Sequence, residues 1–243
     1  MTAVTRDSIA LRGAGVVTVA QPGKGFRFTL DSLLLADFCR IRPRDRILEL
    51  GAGTGVISLL LAKKFPKARF VADEFEPRAY DLLCGNIEQN GLSDAIVPID
   101  GDVQYLNRSF APDAFDVIVA NPPYTKSGTG RNSPSPERQT ARQDRSASLH
   151  AWLDRRDLLK NKGRYFLVFP VSRAAEMISL LREKKLEPKR LRFVHPFRDK
   201  SASLVLIESI KSAGMGLDVL PPLIVHEADG GYSEEMRQLY GLP

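Results

Sequence analysis

Residues 46–55 read Arg46-Ile47-Leu48-Glu49-Leu50-Gly51-Ala52-Gly53-Thr54-Gly55, and no other stretch of the chain indicates a fold so strongly. The first five residues are mostly apolar and predict a short strand, which the glycines then end in a tight turn. Val56–Lys64 follows with apolar residues on all sides and predicts a buried helix. A strand, a glycine turn and a buried helix in this order are typical of the unit that opens a parallel α/β sheet.

The alternation of strands and helices continues beyond this unit. Strands are predicted at Ala68–Ala72, Ala95–Ile99, Phe115–Ala120, Arg164–Pro170, Leu191–Val194 and Leu204–Ile207, and helices at Pro77–Asn90, Leu149–Lys160 and Arg173–Lys185. The connection His195–Ser203 is too short for a crossover helix, so the last two strands should be antiparallel. The sequence therefore predicts an α/β fold with a doubly wound, seven-stranded, mostly parallel sheet and an antiparallel strand near the C-terminus.

Two flanking segments and one internal stretch do not follow this alternation of strands and helices. Residues 1–43 are predicted to form an N-terminal arm that packs on the domain, with a hairpin followed by a helix that runs from a capping Asp31 to Phe38. Residues 44–210 hold the α/β domain, and residues 211–243 are predicted to form a C-terminal extension. Within the domain, residues 125–147 are rich in Ser, Gly, Pro, Arg and Gln and predict a mobile basic loop.

The composition narrows the classes of function. The 243 residues carry a net charge of +6 with a pI near 9.4, which favours encounter with a polyanion such as nucleic acid. No apolar run reaches the roughly 18 to 20 residues that span a bilayer, and the N-terminus lacks a signal-peptide pattern. We therefore expect a cytoplasmic protein with no membrane partner. The three histidines are widely spaced and the two cysteines lie in apolar helical segments, so no metal site is expected.

The glycine turn predicts a cofactor site. Gly51, Gly53 and Gly55 form a G-x-G-x-G pattern, with the acidic Glu49 two residues before the first glycine. This spacing fits the pyrophosphate fingerprint G-x-G-x-x-G poorly, and the chain has no P-loop sequence.

Acidic residues at the next two strand ends extend this constellation. Glu74 follows the second strand and can accept hydrogen bonds from ribose hydroxyls, with Asp73 and Glu76 as rivals for the role. Asp102 follows the third strand and is placed to accept an adenine amino group, with Asp100 as its rival. A glycine loop and two acids at successive strand ends resemble the S-adenosylmethionine site of class I methyltransferases.

The tetrapeptide Asn121-Pro122-Pro123-Tyr124 directly follows the fourth predicted strand, next to the expected position of the cofactor methyl group. An exocyclic amino nitrogen is a poor nucleophile because its lone pair is delocalised. The Asn121 oxygen and the Pro122 carbonyl can each accept one of its N–H groups, and the Tyr124 ring offers a surface on which a flat base can stack. The tetrapeptide therefore predicts methyl transfer to an amino nitrogen, with Asn121, Pro122 and Tyr124 as catalytic residues.

The chain also resembles one family along most of its length, the bacterial tRNA(Val) adenine-37 N6-methyltransferases. The resemblance covers Gln21–Ala36, the glycine loop, Asn121–Tyr124, Ala141–Arg142 and Leu220–His226. Family members often carry a His-Glu pair after the Ala-Arg, where this chain has Gln143-Asp144.

The resemblance implies that S-adenosyl-L-methionine is the cofactor and that RNA, in particular tRNA, is the partner. The residues expected to contact the substrate are Phe28, Tyr124, Lys126 and Arg142, the last two because a basic loop suits phosphate groups. Several alternatives remain open: another RNA amino group (rRNA guanine N2 or adenine N6), a DNA adenine, a release-factor glutamine, or a non-catalytic protein that binds the cofactor or RNA.

Overall fold

The computed structural model describes residues 4–23, 29–123 and 149–242. Eleven strands lie in these ranges: β1 (Val4–Leu11), β2 (Gly15–Pro22), β3 (Arg46–Leu50), β4 (Arg69–Glu74), β5 (Ile96–Asp100), β6 (Phe115–Ala120), β7 (Leu159–Pro170), β8 (Leu186–Phe197), β9 (Leu204–Lys211), β10 (Asp218–Val219) and β11 (Leu223–His226). The helices of the same ranges are α1 (Leu30–Phe38), α2 (Val56–Lys64), α3 (Pro77–Gln89), α4 (Leu149–Asp154), α5 (Ala174–Glu183) and α6 (Glu234–Tyr240), with short 3-10 turns at Val103–Arg108, Arg155–Leu158 and Val171–Arg173.

The central sheet has nine strands in the order β10-β8-β9-β7-β6-β3-β4-β5, with β11 also paired to β8. Strands β5, β4, β3, β6 and β7 are parallel, whereas β9 runs antiparallel between β7 and β8. The predicted fold class is therefore confirmed, including the antiparallel strand near the C-terminus. Strand order reverses between β3 and β6, and an open α/β sheet binds ligands at such a switch point, beyond the carboxyl ends of its strands.

Three details differ from the sequence prediction. The sheet has nine strands rather than seven because the segment that contains β10 and β11 pairs with the edge of β8. The helix predicted at Leu149–Lys160 ends at Asp154, because the chain turns and enters β7 at Leu159, which pairs with Phe115. Asp31 does not cap α1: Thr29 occupies that position without a side-chain cap, and Asp31 lies in the first turn, where a carboxylate favours the helix dipole.

Both flanking segments pack against the central domain. β1 and β2 form a separate antiparallel hairpin, whose buried Val17 and Val19 join the core on the α2 and α3 side of the sheet. In the C-terminal segment, Leu223 and Met236 belong to the same core cluster. The two ends of the chain also meet, since the Arg12 amide donates to the Leu239 carbonyl over 2.8 Å.

Candidate active site at the switch point

The glycine loop has the backbone that only glycine adopts easily. Gly51, Gly53 and Gly55 have φ values of +57°, +59° and +85°, in the left-handed region. A β-carbon on Gly51 would come within 2.5 Å of the Trp152 ring, and one on Gly55 would overlap Leu83. A β-carbon on Gly53, by contrast, would meet none of the described residues within 4 Å. The outer two glycines are thus required by packing, while Gly53 faces open space of the kind that a ligand occupies.

The side chain of Glu49 connects the start of the glycine loop to helix α2. Its side chain is 2 % exposed and accepts hydrogen bonds from the amide and hydroxyl of Ser58, in the first turn of α2. Burial raises the pKa of Glu49 to about 8, although the Ser58 hydrogen bonds oppose this rise. Because its Oε2 is directed at α2, Glu49 fixes where the glycine loop meets this helix.

Of the three acids at the end of β4 and just beyond it, Glu74 is bound to the centre of the glycine loop. Its Oε2 accepts from the Gly53 amide over 2.7 Å, and Oε1 accepts from the amides of Phe75 and Glu76 over 3.0 and 2.8 Å. Three donors leave roughly one of the about four acceptor positions of a carboxylate for a ligand hydroxyl. The Glu76 side chain instead caps α3 by accepting from the Ala79 amide.

Asp73 points to the opposite face of the sheet from Glu74, as alternation along a strand requires. It is fully buried, and neither of its oxygens has a hydrogen-bond partner among the described residues, although the Gly51 amide is near enough to lower its pKa. Burial above all, with the negative charges of Glu74 and Asp102, raises the pKa of Asp73 to about 8. A β-carbon at Gly101 would come within 2.5 Å of Asp73 Oδ1, so glycine is needed there to accommodate this carboxyl group.

Asp73→Asn is expected to stabilise the protein in a pH-dependent way. The folded-state pKa lies above the ordinary value near 3.9, so the wild type has its full stability below pH 4 and loses part of it as the pH rises through about 8. Asparagine removes this loss, and Tm should rise by about 10 °C at pH 8.5 and by less than about 1 °C at pH 4. Melting curves of both proteins from pH 4 to 9 measure this, and a Tm difference that does not change with pH would contradict it.

Asp102 and Asp100 lie at the end of β5. Asp102 Oδ1 accepts from the Gln104 amide over 2.9 Å and so caps the 3-10 turn that begins at Val103. Asp100 is exposed at the last position of β5, level with Glu74 in the strand register. The cap fixes Asp102 beside the same edge as Glu74, and its second oxygen can accept from a ligand.

Asn121 lies directly beyond β6, next to the glycine loop. Ala120 and Leu50 are register partners, so Asn121 and Gly51 continue adjacent strands about 4.8 Å apart. The Asn121 side-chain nitrogen donates to the hydroxyl of Ser32, on α1, over 3.2 Å. Pro122 is buried and Pro123 is exposed. The structure thus brings the asparagine and the glycine loop together at the switch point.

Several predicted contacts fall in parts of the chain that the structure does not describe. Phe28, Tyr124, Lys126, Arg142 and the basic loop 125–147 all lie outside the described residues. Conversely, Trp152, Ser32 and Phe75 were not identified from the sequence. Phe75 follows Glu74 and is 38 % exposed, as are several other large apolar residues among those described.

A second basic cluster, formed by Lys184, Lys185, Lys189, Arg190 and Arg192, is largely occupied by internal contacts. Lys184 pairs with Asp154, Arg190 with the buried Glu208, and Arg192 with Glu235, each within 2.7 Å. Lys189 donates to two backbone carbonyls. This cluster therefore stabilises the fold and offers little net charge to an anion.

Within residues 4–23, 29–123 and 149–242, no helix is long and apolar enough to cross a membrane. No set of three or more His, Cys, Asp or Glu side chains in those ranges is arranged to hold a metal ion.

Comparison with known proteins defines the class first. The methyltransferase small domain family matches residues 16–133. A predicted O-methyltransferase from Agrobacterium tumefaciens superimposes with a TM-score of 0.68 at 20 % identity, covering 87 % of this chain and 96 % of that one. The 16S rRNA N2 G1207 methyltransferase of T. thermophilus, in complex with AdoMet and guanosine, superimposes with a TM-score of 0.61 at 24 % identity. This comparison covers 86 % of this chain and 50 % of that one. The chain has the fold of the class I S-adenosylmethionine-dependent methyltransferases.

Two sequence relatives then define the family. The tRNA1(Val) (adenine(37)-N6)-methyltransferase of Porphyromonas gingivalis is 32 % identical over 231 residues, 91 % of this chain and 89 % of that protein. The enzyme of the same name from Vibrio campbellii is 30 % identical over 217 residues, 88 % of this chain and 87 % of that protein. The chain therefore belongs to the tRNA1(Val) (adenine(37)-N6)-methyltransferase family, as its sequence motifs predicted.

Proposed function

We propose that this enzyme methylates N6 of an adenine in tRNA, at adenine 37 of the anticodon loop. The observation that carries the proposal is the position of Asn121 and Pro122, one strand from the glycine loop and with the asparagine amide held by Ser32. The names of the relatives supply the nucleotide and the class of RNA. A cytoplasmic location follows from such a substrate.

The cofactor would lie over the glycine loop. The described residues leave open space in front of Gly53, which a side chain at this position would occupy. Because glycine keeps this space open, the residues around it fit a ligand there. In the proposal, Glu74 accepts from a ribose hydroxyl, Asp102 accepts from the adenine amino group, and the exposed Phe75 ring stacks on the adenine. Bound S-adenosylmethionine supplies an electrophilic methyl group on a positive sulfonium.

The protein's own contribution to the reaction is positioning. Asn121 Oδ1 and the Pro122 carbonyl each accept one N–H of the target amino group, which shifts the nitrogen toward tetrahedral geometry and exposes its lone pair. The two prolines limit backbone rotation, so both acceptors are already in place when the base arrives. No strong general base is needed, because the nitrogen loses its proton after it has become cationic. Asn121 therefore lowers the barrier through orientation and electrostatics.

The RNA contacts of the proposal come from residues around this centre. Tyr124 would stack on the adenine once it has been turned out of the anticodon loop, and Phe28 would line the same approach. Lys126 and Arg142 would contact phosphates of the RNA backbone, which predicts that binding weakens as salt rises.

The proposal predicts where a labelled methyl group will appear. The enzyme is incubated with methyl-labelled S-adenosylmethionine and, separately, with unmodified tRNA(Val) transcript, the same transcript carrying guanine at position 37, rRNA, duplex DNA and a release factor. We expect label only in the unaltered transcript, as N6-methyladenosine after digestion to nucleosides. Label on rRNA would move the substrate to another RNA, and label on the release factor would replace the RNA proposal with glutamine methylation. No transfer to any of these would favour a binding protein.

A further inference from the structure

Two asparagines on α3 hold strand β2 of the N-terminal hairpin. Asn86 Oδ1 accepts from the Ala20 amide over 2.7 Å, and its Nδ2 donates to the Ala20 carbonyl over 2.9 Å. Asn90 makes the same pair of contacts with Thr18, over 3.0 and 2.7 Å. Four residues of helix advance by about 6.0 Å and two residues of strand by about 6.6 Å, so the two periods match. Each amide therefore takes the place of a neighbouring strand for β2.

The two asparagines differ in their third contact. Asn86 Nδ2 also donates to the carbonyl of Thr54, in the glycine loop, over 2.9 Å. Asn90 Nδ2 instead donates to the Asn86 carbonyl, within its own helix. Asn86 is 0 % exposed and so joins α3, β2 and the glycine loop at one buried point, out of competition with water.

We propose that Asn86 is a positioning residue that couples the glycine loop to the N-terminal hairpin, so that binding of the cofactor and ordering of β2 support each other. The inference rests on the proposed position of the cofactor over Gly53. Thr54 is the next residue along the loop, and its carbonyl direction is set by the Asn86 amide.

The test compares Asn86→Ala with Asn90→Ala as the matched control. Both variants release one residue of β2, and Asn86→Ala should lower Tm more than Asn90→Ala, because Asn86 is fully buried and also contacts Thr54 and Gln89. Calorimetric titration with S-adenosylhomocysteine should show Kd raised about tenfold in Asn86→Ala, as the loss of one hydrogen bond implies, and by less than about twofold in Asn90→Ala. At saturating cofactor, kcat should stay within about threefold in both, while KM for the cofactor rises in Asn86→Ala. Equal Kd values in the two variants would overturn the proposal.

A second measurement uses the unaltered protein and does not depend on whether Asn86→Ala folds. Hydrogen exchange is followed at the Thr18 and Ala20 amides with and without S-adenosylhomocysteine. Coupling through Asn86 predicts that the ligand slows exchange about tenfold at Ala20 and less than about twofold at Thr18. An unchanged Ala20 amide beside a newly protected Gly53 amide would overturn it. The two possible failures can be told apart. If the ligand does not change exchange at the Gly53 amide, and Gly53→Ala still binds the ligand, then the proposed cofactor position is wrong rather than the coupling.

Discussion

Asn121→Ala is expected to lower kcat/KM for RNA methylation at least about 100-fold and to leave the Kd for S-adenosylhomocysteine within about twofold. Alanine removes the oxygen that is proposed to accept an N–H of the target amino group, so the nitrogen keeps its flat, delocalised geometry. The proposed cofactor contacts, which come from the glycine loop, Glu74 and Asp102, are not altered. The measurement pairs steady-state kinetics on tRNA with calorimetry on the cofactor product.

Two further variants distinguish the effect of the acceptor oxygen of Asn121 from the effect of how its side chain is oriented. Asn121→Asp keeps an acceptor oxygen at the same place but loses the donor to Ser32, so it should retain more activity than Asn121→Ala. Ser32→Ala removes the hydroxyl that holds the asparagine amide and should lower kcat about 3- to 10-fold through less precise orientation, with the cofactor Kd unchanged. A fully active Asn121→Ala enzyme would show that the target nitrogen is held elsewhere.

The glycine loop, Glu74 and Asn121 could be identified from the sequence because each belongs to a short local pattern. The residues that hold them could not, because those contacts join distant parts of the chain. Ser32 is 89 residues from Asn121, and Asn86 is 66 from Ala20 and 32 from Thr54. Trp152 packs on Gly51 through tertiary structure alone. Sequence spacing predicts which chemistry is present, whereas the groups that orient it become visible only once the strands are assembled.

The fold prediction was limited in the same way. β6 could be predicted because five of its six residues, Phe115 and Val117–Ala120, are apolar, which is visible in the sequence alone. The structure buries all five. β10 and β11 were not predicted because Pro221 and Pro222 interrupt the segment that contains them, and their strand character comes from pairing with the edge of β8. Likewise, β7 begins at Leu159 rather than at the predicted Arg164, because Leu159 pairs with Phe115, which lies 44 residues earlier in the chain.

Gly53→Ala is expected to raise the Kd for S-adenosylhomocysteine about 100-fold. The added methyl group would enter the open space in front of the loop, where the cofactor is proposed to bind, and overlap of this kind costs up to about 3 kcal/mol, or about 100-fold in affinity. Alanine keeps the amide that donates to Glu74, so this hydrogen bond is not the cause of the loss. Calorimetry gives Kd, and kcat/KM for the cofactor should fall in parallel.

Gly91→Ala is the matched control, because it separates blocked binding from backbone strain. Gly91 has a φ of +66°, close to the +59° of Gly53, and its added β-carbon also has no neighbour within 4 Å in the part of the chain that the structure describes. Both variants should therefore lose about 1 to 2 kcal/mol of folding stability, seen as similar decreases in Tm. Gly91 lies beyond the C-terminal end of α3, so its variant should bind the cofactor product as the wild type does. Equal losses of affinity in the two variants would mean that strain alone weakens binding, and normal affinity in Gly53→Ala would mean that the cofactor does not lie over this glycine.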